Sequence, residues 1–255
     1  MKCFGRKAVR VALMTATLLL LAHGSVTAQF GPPPGPTGPA RDVAPIDLTG
    51  QWVSIVTEDW RFRMITPPKG DFPGLTLTPA ARAVADAWDP AKDEADGNAC
   101  KSYGAGAIMR VPGRLRISWR DDSTLEVETD AGRQTRVFHF GVLPQPSGEA
   151  TWQGVSKAEW LPHRAGPGPA VNGSLKVVTT GVKAGYLRKN GLPYSADAVV
   201  TEYFDVLHHP DGSQWLVVKT IVEDPEYLPA PYITSSNFRK QTDRSGWDPT
   251  PCSAS

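Results

Sequence analysis

Cysteine is scarce in this chain, with three in 255 residues. That excludes a disulfide-dense scaffold and leaves too few thiolates for a cysteine-rich metal cluster. Histidine is nearly as sparse, at five. With no carboxylate or histidine at ligand spacing around them, the histidines suggest neither a metal nor a cofactor site. The signatures that announce common chemistries are missing too. There is no G-x-S-x-G elbow, no H-E-x-x-H, no phosphate loop and no dinucleotide fingerprint. Beyond residue 22 no apolar run is long enough to cross a bilayer as a helix, so no integral membrane segment is expected after the N-terminal region. Neither sign of charge dominates, with 27 basic and 26 acidic residues.

What the chain does have begins at its N-terminus. Lys2, Arg6, Lys7 and Arg10 precede an apolar run from Val11 to Ala22, and Val26-Thr27-Ala28 places small residues before Gln29. This is the pattern of an export signal over residues 1–28, and it implies a periplasmic or secreted protein. Cys3 lies far from the cleavage site, which argues against a lipid anchor. Removing the signal removes four basic residues and no acidic ones, leaving 23 against 26, a net charge of −3. Such a chain has no basic field for nucleic acid or for an anionic membrane surface.

The segment from Gln29 to Arg41 is rich in Pro and Gly. It predicts a disordered leader over 29–45, with an ordered domain over 46–240 and a tail over 241–255. Cys100 and Cys252 remain after export, and in an oxidising compartment such a pair most often bridges. A bridge would close a loop of about 150 residues and contribute roughly 4–5 kcal/mol in the chain-entropy model. It would also tie the tail back to the body. A pair of metal-ligand thiolates is the competing reading, disfavoured because no His or Cys lies near either one.

Strand patterns fill most of the chain. Alternation from Trp52 through Met64 reads as one half-buried strand, placing Glu58 among Trp52, Val56, Trp60 and Phe62. Leu77 to Trp88 reads as a helix, with Thr78 as N-cap and Pro79 at its first position. Strands are then expected at Ile108–Val111, Leu115–Trp119, Leu125–Thr129, Thr135–Phe140, Trp152–Trp160 and Ser174–Thr180. Two hairpins follow, over 182–195 and 198–222, and then a last strand at Tyr232–Lys240. The fold class is mainly β, an antiparallel meander of nine or ten strands with one short helix inserted after the first.

Thr49-Gly50-Gln51-Trp52 resembles the Gly-x-Trp that opens the first strand of lipocalins, avidins and related calycin barrels. The resemblance implies a closed barrel whose Trp52 plugs one end under a basic side chain from the final strand, the role it assigns to Arg239. The inserted helix and the extra length depart from that pattern. A flatter sandwich or a half-barrel is the alternative.

Several residues stand out against such a frame. A turn centred on Asp211-Gly212 with an even loop would pair Phe204 with Lys219, and would set Glu202 and Lys219 on one apolar face. His139, flanked by Phe138 and Phe140, is a candidate base. Glu58, His139, Glu202 and Lys219 are therefore the candidate catalytic groups. Trp60, Tyr103, Arg110, Trp119 and Phe204 are the candidate ligand-binding groups. Arg114 and Arg116, the Asp59-Trp60-Arg61 run and Tyr186-Leu187-Arg188-Lys189 pose the same choice between anion site and solvated surface. The leading expectation is a small, largely apolar or aromatic molecule held in a barrel cavity. The alternatives are a cofactor-independent lyase, isomerase or cyclase in the same cavity, and an envelope structural protein.

Overall fold

A computed structural model describes residues 38–145, 148–163 and 172–255. The export signal lies outside the described residues. Eleven strands are described: β1 Gly50–Ile55, β2 Arg114–Asp121, β3 Thr124–Thr129, β4 Thr135–Phe140, β5 Val155–His163, β6 Asn172–Thr180, β7 Gly185–Arg188, β8 Leu192–Tyr194, β9 Val199–His208, β10 Gln214–Glu223 and β11 Tyr232–Gln241. Three short α-helices, α1 Trp60–Met64, α2 Pro79–Asp86 and α3 Pro90–Ala95, separate β1 from β2.

Nine of the strands close into a barrel in the order β1-β11-β10-β9-β6-β5-β4-β3-β2, while β7 and β8 form a separate hairpin. The barrel is mixed. The β4–β5 pair is parallel, with Phe138 beside Ser156, so the chain is not a pure antiparallel meander. Closure removes the free edges that an open sheet must protect. Inward alternation runs along β9 and β10, and Trp52, Phe138, Phe204 and Phe238 belong to one buried cluster. The barrel axis is thus packed with side chains where a hollow was expected.

The two ends differ. At the β1 start, the Trp52 indole donates to the Leu48 carbonyl at 2.9 Å, and the Lys240 ammonium lies 4.7 Å from the ring centroid. The basic partner of Trp52 is therefore Lys240. Arg239 sits one register step away, opposite Val53 and Trp215, and is exposed. Residues 38–45, expected to be disordered, pack over this end. Val43 and Ala44 lie against the core, and the Trp160 indole donates to the Ala40 carbonyl at 2.7 Å.

The other end carries a cap. A second core joins Val200, Val222 and Tyr232 of the barrel to Leu187, Leu192 and Tyr194 of the β7–β8 hairpin and Ala85 of α2. Thr78 caps α2 as expected, its hydroxyl accepting from Ala81 at 3.1 Å, with Pro79 in the first turn. Cys100 and Cys252 are disulfide-bonded, which draws the tail against this cap.

Two strand expectations fail at the cap. The first strand stops at Ile55 because Asp59 takes a left-handed backbone (φ 51°) and turns the chain into α1. The period-two pattern beyond it is accidental. Ile108–Arg110 is a 3-10 turn, held by Ile108 N–H donating to the Gly104 carbonyl at 2.9 Å and Arg110 N–H to the Ala107 carbonyl at 2.8 Å. Tyr194 forces it. A Cβ on Gly104 would lie 2.1 Å from the Tyr194 hydroxyl, so only glycine lets the chain pass beneath that ring.

Candidate functional site

A cleft of about 430 Å³ opens beside the cap, between α1, the segment from Ser102 to Pro112, the end of β7 and the C-terminal tail. Phe62, Met64, Ile65, Val111 and Leu187 are among its apolar lining, and Arg63, Arg110, Arg188 and Lys189 supply its charge. Each arginine owes its place to a different local feature. Arg110 ends the 3-10 turn that the Gly104–Ala107 run makes possible. Arg188 ends β7 just before the Asn190-Gly191 turn, where Gly191 has φ 83° and a Cβ would strike Trp88. Arg63 is drawn inward by the short helix that Asp59 starts.

All three guanidinium groups are more than nine-tenths buried. Arg63 pairs with Glu58 and donates Nε–H to the Arg110 carbonyl at 2.8 Å. Arg110 Nη2 lies 2.7 Å from Asp59 Oδ2, a charge contact that is not directed along an N–H. Arg188 Nε–H donates to the Tyr232 hydroxyl at 3.2 Å, and its Nη2 is 3.9 Å from the same Asp59 oxygen. The Arg188 guanidinium also stacks over Phe62, 4.5 Å from the ring centroid. Burial, and the neighbouring Arg110 charge, push the Arg63 pKa below the ordinary arginine value against the opposing pull of Glu58. At the rim, Lys189 Nζ donates to the Ser255 main-chain oxygen at 3.0 Å.

The expected site residues scatter over the molecule. Tyr103 and Arg110 line the cleft, and Glu58, outside the lining, pairs with Arg63. Trp60 lies on α1 beside it, 61% exposed. Trp119 belongs to the opposite end, in an aromatic cluster with Phe140 and Trp160 at 5.6 and 6.4 Å between ring centroids. Phe204 is in the barrel core against Phe138. His139 is half-buried on the outer side of β4, alternating with inward Phe138, and burial lowers its pKa.

Glu202 and Lys219 do not meet. The loop between β9 and β10 runs over five residues, His209–Ser213, so Lys219 pairs with Tyr203 and Glu202 with Thr220. An odd loop reverses the facing that an even one gives. Lys219 is exposed on the outer wall over the Tyr203 ring. Glu202 points inward and is fully buried, and its partner is Arg136. Arg136 Nη1 donates to Glu202 Oε1 at 2.9 Å and Nη2 to Oε2 at 2.6 Å. The four candidate proton-transfer groups thus share no site, and Glu202 is occupied by a bidentate partner.

Arg136 and Arg63 are the residues the sequence reading missed. Arg136 was detectable, since it shares the inward face of β4 with Phe138, the same signal that singled out Glu202. Arg63 fell on the solvent side of a strand that does not extend so far. No protein-family model, curated protein or solved structure matches this chain. The closed nine-stranded barrel is compatible with a calycin-like architecture.

Proposed function

We propose that this is an exported protein that holds a small, largely apolar or aromatic molecule in the cleft beside the barrel cap. The observation that carries the proposal is the cleft itself. Its volume of about 430 Å³ falls in the range of small-molecule sites, and its lining sets apolar side chains beside a comparable share of polar and cationic ones. The binding place moves from the barrel axis, where the core is packed, to the end where helices and tail leave room. Export is supported by the N-terminal pattern of residues 1–28 and by a disulfide that spans 152 positions.

The test is a fluorescence titration with N-phenyl-1-naphthylamine, an uncharged aromatic probe that brightens in apolar surroundings. Saturable binding is expected. Thr66→Trp, which adds bulk at a half-buried wall position, should weaken it about tenfold or more, a loss of about 1.4 kcal/mol. Binding that never saturates, or that ignores the substitution, contradicts the proposal.

A further inference from the structure

We infer that the ligand of this cleft carries an acidic group, which takes the place of the Asp59 carboxylate on Arg110 and Arg188. The inference rests on the small-molecule reading above and names the chemistry of that ligand.

Its first ground is a mismatch of charge in a place removed from water. Three arginines line the cleft, each more than nine-tenths buried, and the carboxylates paired with them are Glu58 and Asp59. Arg63 Nη2 and Arg188 Nη1 have no hydrogen-bond partner among the described residues, and Arg110 Nη2 meets Asp59 only through a charge contact at 2.7 Å. Buried charged donors without acceptors are unfavourable, and a carboxylate, sulfonate or phosphate supplies acceptor oxygens in a geometry that guanidinium groups match.

The second ground is that the place already takes a carboxylate, and its resident reaches only one of the two arginines closely. Asp59 approaches Arg110 without an aligned N–H and stands 3.9 Å from Arg188. It precedes α1 but makes no capping bond to that helix, and its backbone is left-handed. Its side chain is 29% exposed. An incoming acid would meet both arginines by displacing one side chain. The Glu58 carboxylate is held more firmly, accepting also from Asn237 at 2.9 Å and Thr57 at 2.8 Å. Phe62, Met64 and Ile65 on α1 and the segment after it would then lie against the body of the molecule whose acid the arginines hold.

The experiment compares two probes on the full chain, 8-anilinonaphthalene-1-sulfonate and the uncharged N-phenyl-1-naphthylamine, and reads the ratio of their affinities. The sulfonate should bind about tenfold tighter than the neutral probe. Asp59→Asn keeps a side chain that tolerates left-handed backbone and removes the competing charge, so the ratio should rise about threefold or more. Arg188→Gln should bring it close to one. Glu159→Gln, a surface change on β5, should leave it at the wild-type value. A neutral probe that binds as well as the sulfonate overturns the acid inference and leaves the small-molecule reading standing. A ratio that falls in Asp59→Asn overturns displacement, because Asp59 would then be building the site. Failure of both probes to bind overturns the inference together with the reading beneath it.

Discussion

Arg136 in the barrel and the arginine trio in the cleft are buried to a similar depth, yet their charges are met in opposite ways. Arg136 faces one carboxylate, and both of its terminal nitrogens donate to Glu202, with Nη2 also 3.3 Å from the Thr179 hydroxyl. Only its Nε is left without a partner. The trio shares two carboxylates among three guanidinium groups, and Arg63 Nη2 and Arg188 Nη1 have no hydrogen-bond partner among the described residues. A matched pair in a closed core is a structural joint that needs nothing from outside. An under-matched cluster beside an open cleft is unfinished until something else arrives. Burial of charge is therefore a weak guide to function until the partners are counted.

The comparison can be broken most forcefully in the barrel. Glu202→Ala leaves Arg136 charged, enclosed and unpaired, which should cost about 3–5 kcal/mol and lower the melting temperature by roughly 10 °C. Replacing both residues by leucine should recover most of that loss, because two apolar groups need no mutual pairing. In the cleft, Arg188→Gln relieves like-charge crowding as much as it removes contacts, so its effect on stability should stay within about 1 kcal/mol. Thermal or urea denaturation of the four proteins reads all of this. A cleft variant as damaging as Glu202→Ala would erase the distinction.

The smallest effect lies on the surface at the β9–β10 loop. The Ser213 side chain, the Ser213 backbone N–H that donates to Asp211 at 2.8 Å, and the neighbouring His209 hold the Asp211 pKa down to about 2. Its contribution to stability is present above the ordinary carboxylate value near 3.8 and is lost as pH falls through about 2. The group is fully exposed, so the effect belongs in an NMR titration of its carboxyl carbon. A midpoint near the ordinary value would show that the five-residue loop is not held this way in solution.

Most of the barrel was legible because alternation and turn residues are local signals. The strands from Leu115 to Phe140 and the two hairpins beyond residue 182 follow from them directly. The Cys100–Cys252 pairing followed from the cysteine count and the compartment expected from the N-terminal pattern. The parallel β4–β5 pair was not legible, since nothing local encodes which edge a strand chooses. The facing of Lys219 failed on one residue of loop length, because a period of two turns a single step into a reversed wall. The cleft was hidden for a different reason. Arg63, Arg110 and Arg188 come from three segments that only tertiary packing brings together, and the left-handed Asp59 that steers the first of them looks like any strand residue in sequence. Tyr103 and Arg110 were named without any means of knowing that they share a wall.

Native mass spectrometry of the full protein, purified gently from its own source, bears most directly on the claim that the cleft is a binding site. The bound state should appear as a discrete excess mass of a few hundred daltons, released on acidification and much reduced in Thr66→Trp. A spectrum holding only the bare polypeptide, or an excess mass that Thr66→Trp retains in full, would contradict it.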